Sequence, residues 1–422
     1  MRTAPTPRLE PGEDLRSRRR LLPGPDVVVG GPSDPGELPA DRASGDPRRR
    51  WLGRRGAAVA VAVVLVPVGW SYGQALTARG TDSVALRSVE WLRDHGGAGI
   101  VSSGERWWYS HHQPRTGGGP AAILLRPPAD ALQPGVPEAG RGGHLAVPAN
   151  LAPLAAPPLP GEGVWRVAGR LVGGLPAVYE TAIRPDPVHP GLATGVAWMD
   201  PTLMRAALFA GVQLPGGAWP DTAPIPLERR PSLVGAFNSG FKLAGSHGGY
   251  YAEGRTVQPL VAGAASLVID ADGRPTVGEW GRDVTMGPEV ASVRQNLVLI
   301  IDGGLPVDGL DQDGRGLWGA TLGNRLLVWR SGIGVTADGA LVYAAGNGLS
   351  VASLAAVLVA AGSVRAMELD INSEWTRFFT YDSPDPAQPG AVVGTKLVPD
   401  MRSSPTLYLE PETRDFIALF AR

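Results

Sequence analysis

The feature that most limits this chain is an uncharged run, Ala57 to Leu76, reading AAVAVAVVLVPVGWSYGQAL. Its length, about 20 residues, is what a helix needs to cross the hydrocarbon core of a bilayer. Pro67 marks a kink of the kind that membrane helices tolerate. Trp70 and Tyr72 stand toward the C-terminal end, where amphipathic rings favour the membrane–water interface. Arg48, Arg49, Arg50, Arg54 and Arg55 crowd the N-terminal side, and only Arg79 is close on the other. An excess of arginine marks the cytoplasmic side of a membrane helix. The run therefore predicts a transmembrane signal anchor over 56–76, single-pass in the cell membrane. The N-terminus is expected in the cytoplasm and the C-terminal part outside it. A cleaved signal peptide normally carries a far shorter leader.

Composition narrows the function classes. The formal net charge is −1, which gives no electrostatic case for a nucleic-acid partner. With no cysteine, disulfides, thiolate metal sites and a cysteine nucleophile are excluded. Only two lysines, Lys242 and Lys396, occur among 39 basic residues, a skew that points to codon bias rather than to function. Residues 1–55 are rich in Pro, Gly, Arg and Asp and poor in apolar periodicity, so a disordered basic cytoplasmic tail is expected there. Residues 77–231 read as an extracytoplasmic N-terminal region whose Gly/Pro-rich loops concentrate over 113–163. Within it, 82–94 predicts a helix with Asp82 as its cap, and Gly163–Ile183 alternates as a strand does. The six histidines are scattered without zinc spacing. No G-x-S-x-G elbow or Walker loop is present.

From residue 232 onward the pattern sharpens. SLVIDADGRPTVGEW (266–280) reads as a hairpin, and NLVLII (296–301) as a buried strand. SGIGVTADGALVY (331–343) reads as a second hairpin turning at Ala337-Asp338-Gly339. Leu349–Ala361 reads as a helix capped by Ser350 and ended by Gly362. Val364–Asp370 then returns as a strand. Several hairpins and few helices predict an α+β domain with a mixed, largely antiparallel sheet over 232–422, preceded by the one transmembrane helix.

Two stretches carry polar residues suited to chemistry. In Ala236-Phe237-Asn238-Ser239-Gly240-Phe241-Lys242, a turn presents an amide beside a glycine; an Asn-Ser-Gly turn is also ordinary loop chemistry. In Ala366 to Glu374, period-two geometry puts Met367 and Leu369 on one strand face and Glu368 and Asp370 on the other. Two carboxylates on one face repel unless compensated, and such pairs split their pKa values for acid/base work or bind a cation. The alternative is a solvated strand end paired with Arg365 or Arg377. Between the two stretches lie Asp302-Gly303-Gly304 and Arg330-Ser331-Gly332, where an arginine entering a glycine-rich strand suits bidentate contact with phosphate.

The order AFNSGF, hairpin, LVLIIDGG, WRSGIGVTADGALVY, helix and AMELDIN resembles the phosphodiester glycosidase family over residues 232–410. That family's pattern runs roughly F-N-G-G-F-F, then R-T-A-I-G with a D-G turn, then a helix, then N-L-D-G-G-G-S. Asn238 and Gly240 match the first motif, Arg330 the arginine of the second and Asp370 the aspartate of the last. Ser239 and Lys242 depart from the first motif. Ile371-Asn372-Ser373 stands where the family has three glycines, and Glu368 stands where it has asparagine. The resemblance implies an extracytoplasmic hydrolase of sugar-1-phosphodiester bonds, acting on a cell-envelope glycopolymer or glycoconjugate. It implies that Arg330 neutralises the phosphate, that Asp370 is base or nucleophile, and that Glu368 or Glu374 is the acid. Asn238, Gly240, Asp302, Asn372 and Glu374 are then substrate-binding candidates. A divalent cation near Asp302 or Asp370 fits the carboxylates, although no ligand motif specifies one. The alternative reading is a non-catalytic envelope protein of the same fold that binds glycan or a partner.

The charge asymmetry yields the first prediction. A reporter fused after Arg422 is expected to be active only outside the cytoplasm; activity of that fusion in the cytoplasm contradicts the assignment.

Overall fold

The computed structural model describes residues 47–117, 119, 143–311, 317–318 and 327–422. Of the expected tail over 1–55, residues 1–46 lie outside the described residues, as do 118 and 120–142 of the expected loops. The chain divides into two compact units, residues 1–65 and Val66–Arg422.

Helix α1 (Pro47–Thr77) starts earlier than the uncharged run and contains Pro67. Among its described apolar side chains, Val61, Val63, Val64, Leu65, Val66, Val68 and Trp70 are exposed. The first part of the expected 56–76 span falls on residues whose side chains lie outside the description. Among the described residues, no helix is long and apolar enough to cross a membrane. α2 (Val84–Leu92) is capped by Ser83, whose hydroxyl accepts from the Leu86 N–H at 3.2 Å. The cap therefore sits one residue beyond the expected Asp82. A glycine-containing kink at 93–97 leads into α3 (Ala98–His111).

Three sheets make up the body of the second unit. The first runs β1 (Arg166–Val172), β2 (Leu175–Ile183), β3 (Thr194–Met199), β14 (Leu341–Leu349), β13 (Val328–Thr336), β15 (Ser363–Glu368), β11 (Leu299–Asp302) and β12 (Leu305–Pro306). The second runs β7 (Arg255–Gln258), β6 (Tyr250–Ala252), β10 (Val290–Gln295), β8 (Ala265–Asp270) and β9 (Pro275–Glu279). The third runs β17 (Val393–Lys396), β16 (Phe378–Asp382), β5 (Leu233–Asn238), β18 (Phe416–Ala421) and β4 (Met204–Phe209). Every ladder between these strands is antiparallel, so the sheets are not mixed. Four strands, β1 to β4, come from the region before residue 232 and pair directly with strands that follow it or extend their sheets.

The central strands of the first sheet, β3, β14 and β13, are buried on both faces, which explains their long apolar runs. Along β14, Leu341, Tyr343 and Ala345 face one core, and Val342 and Ala344 face another. A single helical turn, α4 (Leu243–Ser246), follows β5, and the second core is closed by α5 (Val351–Ala360), whose Val351, Leu354, Ala355, Val357 and Leu358 are buried. Its N-cap, Ser350, forms a reciprocal capping box with Ser353. Close approach of α5 explains Gly332: a Cβ there would stand 3.0 Å from Leu358 Cδ1 and 3.2 Å from Leu354 Cδ2.

Because Leu354 is fully buried at this contact, Leu354→Ala is expected to lower stability by about 2–5 kcal/mol. Urea unfolding checks this; a loss below about 1 kcal/mol would mean that α5 is not packed as described.

Candidate active site

The expected carboxylate pair separates because β15 ends at Glu368. Side chains alternate along β13, so Arg330 and Gly332 face α5 while Ser331 and Ile333 face the opposite core. Arg330 accordingly turns away from Asn238. It forms a fully buried ion pair with Glu368 and donates through Nε to the Leu349 carbonyl at 2.9 Å. Burial pushes the Glu368 carboxyl upward, and Arg330 opposes that shift. The expected roles of Arg330 on phosphate and Glu368 as proton donor meet a geometric correction: both are sealed inside the protein at 0% exposure.

Asn238 and Asp370 are brought together through the neighbour of Arg330. Asn238 Nδ2 donates to Ser331 Oγ at 3.1 Å, and the Asp370 N–H donates to the same oxygen at 3.2 Å. Asn238 Oδ1 accepts from Tyr343 OH at 2.8 Å and from the Arg377 N–H at 3.1 Å. Every polar atom of the amide is thus engaged within the fold, which fixes its orientation at the end of β5.

Asp370 begins a tightly wound loop. Its Oδ1 accepts from the N–H groups of Ile371 at 2.8 Å and Asn372 at 3.1 Å. Asn372 Oδ1 accepts in turn from the Glu374 N–H at 2.9 Å. Asp and Asn favour this arrangement because their short side chains bond to backbone one or two residues ahead. None of Ile371, Asn372 and Ser373 has a positive φ, so the loop takes a path open to non-glycine residues. The loop seats Trp375 against two guanidinium groups, Arg377 at 4.7 Å and Arg414 at 4.3 Å from the ring centroid.

Arg414 stands 3.3 Å from Asp370 Oδ2 and donates to the Gly240 carbonyl at 2.7 Å. Arg377 pairs with Glu412 at 3.0 Å. Burial raises the Asp370 carboxyl to about 6, opposed by Arg414, by the Ile371 and Asn372 N–H groups and by Arg377. Beside them lies a small cavity of about 10 Å³, lined by Asn238, Gly240, Trp375, Arg377, Tyr408, Glu412, Arg414 and Asp415; Asp370 adjoins it through Arg414 and is not itself part of the lining. Within its walls, Arg377 Nε and Tyr408 OH are buried without a hydrogen-bond partner. The cleft therefore presents cationic and neutral donors beside a carboxylate that exchanges protons near neutrality, an arrangement suited to an anion and to base chemistry.

The loop 239–241 is held in place from three directions. Gly240 has φ +151°, and a Cβ there would meet the Asn296 side chain at 3.2 Å, so glycine is required. Asn296 donates to the carbonyls of Glu368 at 2.8 Å and Leu369 at 3.0 Å and accepts from the Phe241 N–H at 3.2 Å. Asp415 accepts from Ser239 Oγ at 2.5 Å and from Arg294 Nε at 2.7 Å. Arg294 also donates to the Phe241 carbonyl.

Other sequence candidates lie elsewhere. Asp302 pairs with Arg282 at 2.8 Å, in a cluster that includes Arg365 and Asp283. Glu374 pairs with Arg402 at 2.7 Å and is absent from the cleft lining. Asn372 serves the Asp370 loop through both its N–H and its side-chain oxygen. Among the described residues, no group of three or more His, Asp or Glu is arranged to hold a metal ion. Sequence reasoning missed Arg377, Arg414, Glu412 and Asp415 as a group. The signal was the charged run Glu412-Thr413-Arg414-Asp415 directly before the apolar β18, which reads as a solvated end but is buried.

Residues 232–381 match the model of the phosphodiester glycosidase family, so this part of the chain carries that family's domain. No curated protein matches the chain. Among solved structures, it is similar to a hypothetical protein from Synechocystis at 12% identity and TM-score 0.36, over 61% of this chain and 65% of that one. The chain thus spans somewhat less than two thirds of that protein's length. It is also similar to the zebrafish N-acetylglucosamine-1-phosphodiester alpha-N-acetylglucosaminidase catalytic domain auto-inhibited by its pro-peptide. The identity there is 13% and the TM-score 0.38, over 61% of this chain and 87% of that one. TM-scores of this size do not establish a shared fold.

The position of Asp370 gives a pH prediction. Its folded pKa, about 6, lies above the ordinary carboxylate value. The native state therefore holds this proton more tightly, and stability contributed by the group falls as pH rises from about 4 through 6. Asp370→Asn is expected to gain stability relative to wild type across that window, levelling off above it. Thermal melts from pH 4 to 8 check this; a constant difference contradicts it.

Proposed function

We propose that this chain is a hydrolase that cleaves sugar-1-phosphodiester bonds, with Arg377 and Arg414 holding the phosphate and Asp370 serving as base or nucleophile at the anomeric carbon. The observation that carries the reading is the pair of guanidinium groups seated on Trp375 beside the Asp370 carboxylate. It lies where the family domain meets the C-terminal segment, and the family match supports the reaction class.

The chemistry follows from the charges. In glycosidic cleavage of such a diester, the bond from the anomeric carbon to oxygen breaks and a phosphomonoester leaves with the bonding electrons. A phosphomonoester is a stable anion, so its departure needs neutralisation more than a proton donor. Two arginines provide that neutralisation, and most strongly in a site poor in water. Sequestration of Glu368 is compatible with this scheme. Asp370, ionised above about pH 6, assists attack at the carbon from which the phosphate departs. Asn238 and Gly240 hold the cleft wall through their bonds to Tyr343, Ser331 and Arg414. At about 10 Å³ the cavity has room for about one water, so the phosphodiester is expected to bind at its mouth rather than inside it.

The uncharged run and its flanking arginines support an extracytoplasmic setting, with a cell-envelope glycopolymer or glycoconjugate as substrate. One observation favours the second reading, a binding protein: both N–H groups at 371 and 372 are spent on Asp370 Oδ1 rather than offered to a ligand.

Incubation of the purified chain with a panel of sugar-1-phosphodiesters tests the proposal, and release of free sugar is expected. Asp370→Asn is expected to cost about a hundredfold or more in turnover. Arg414→Lys is expected to cost about tenfold, since an ammonium does not reproduce the guanidinium fork. A folded Asp370→Asn protein with unchanged turnover would move the chain to the binding reading.

A further inference from the structure

The segment 78–82, which joins α1 to α2, lies outside the matched domain, yet it is built against the cleft. Arg87 gathers it: Nη1 donates to the carbonyls of Leu76 at 2.6 Å and Ala78 at 2.7 Å, Nη2 to Gly80 at 2.7 Å and Nε to Asp82 at 2.9 Å. Such multiple engagement fixes the strap's shape through one side chain. Gln213 holds it from below through the Arg79 carbonyl, at 2.5 Å. Gly80, at φ +138°, sits so close to the wall that a Cβ would stand 2.1 Å from Thr413 Cγ2.

One direct bond links the strap to a residue of the cleft. Thr81 Oγ1 donates to Glu412 Oε2 at 3.2 Å. The other oxygen of that carboxylate, Oε1, pairs with Arg377 Nη1 at 3.0 Å and accepts from Thr413 Oγ1 at 3.2 Å. Arg377 itself lines the cavity, and its buried Nε has no hydrogen-bond partner. Glu412 is nearly inaccessible, so its two oxygens are oriented by the protein rather than by solvent. Asp82 joins the same cluster, its carboxyl pushed up by burial and by Glu412 and drawn back by Thr413 and Arg377.

We propose that the strap 78–82 completes the candidate site, and that Thr81 is a positioning residue that orients Arg377 toward a phosphate group by fixing Glu412. The inference rests on the assignment of Arg377 to phosphate made above. Without the Thr81 hydroxyl, Glu412 loses the bond that holds Oε2 and gains freedom to rotate, and the Arg377 fork moves with it. The effect falls mainly on capture of the phosphate, because Asp370 makes no direct hydrogen bond to Thr81, Glu412 or Arg377.

The test uses the full chain and two readouts. Thr81→Val is expected to raise KM for a sugar-1-phosphodiester about fivefold while kcat stays within about twofold, in keeping with loss of one hydrogen bond to a charged group. Thr81→Ser restores the wild-type KM. Calorimetric titration with inorganic phosphate is expected to show the same weakening of about fivefold, and it does not depend on turnover. Gly80→Ala, which displaces the strap from Thr413, gives the same pattern and serves if Thr81→Val does not fold. A wild-type chain that binds phosphate but hydrolyses no phosphodiester removes the proposed reaction, and the phosphate affinities of the variants still decide the role of Thr81. Unchanged phosphate affinity in Thr81→Val, a fall in kcat with KM unchanged, failure of Thr81→Ser to restore binding, or a wild-type chain with no affinity for phosphate each overturns the inference.

Discussion

The ion pair between Arg294 and Asp415 is the contact on which the candidate site depends. Arg294 belongs to β10 of the second sheet, and Asp415 immediately precedes β18 of the third. Their side chains are 1% and 6% exposed, with 2.7 Å between Nε and Oδ2. A charge so buried must be compensated in full, and breaking such a pair typically costs about 3–5 kcal/mol. Here the compensation is also what shapes the cleft. Asp415 takes the Ser239 hydroxyl, Arg294 takes the Phe241 carbonyl, and the glycine between those residues offers its own carbonyl to Arg414. Asn296, two residues beyond Arg294, extends the linkage to the first sheet through the carbonyls of Glu368 and Leu369. The three sheets thus meet where the functional side chains are presented.

This architecture explains which parts of the structure were legible in the sequence. Hairpins and caps are local, so the β8–β9 and β13–β14 hairpins and the Ser350 cap of α5 stand close to where turn residues and periodicity put them. The segment Gly163–Ile183 proved to be two strands rather than one, because Gly173 and Gly174 adopt positive φ and turn the chain. The pairing of β4 with β18, which sets Phe209 opposite Phe416, joins segments far apart in sequence, and no local pattern announces it.

The site divided along the same line. Asn238 and Asp370 were recognisable from motifs, and they meet through Ser331. Arg330 was recognisable too, but the alternation of β13 directs it to the opposite face, where Glu368 is its buried partner. A motif records which residues occur together; the strand register decides which way they point. Arg377 and Arg414 were hidden for a different reason. In a chain rich in arginine, composition does not separate a structural arginine from one that faces a ligand, and only burial beside Trp375 and Asp370 distinguishes these two.

Glu368 and Asp370 also show how one short segment gives two carboxylates different work. Glu368 is neutralised by an ion pair inside the α5 face. Asp370 is capped by its own loop, touches one guanidinium and keeps a pKa near 6. In the proposed reaction only the second is placed for chemistry, at a bond whose leaving group Arg377 and Arg414 would hold. That assignment requires cleavage between the anomeric carbon and oxygen, not between phosphorus and oxygen. Hydrolysis of a sugar-1-phosphodiester in ¹⁸O-labelled water, followed by mass spectrometry of both products, distinguishes the two. The account predicts that the label enters the free sugar and leaves the phosphomonoester unlabelled; label in the phosphomonoester would contradict it.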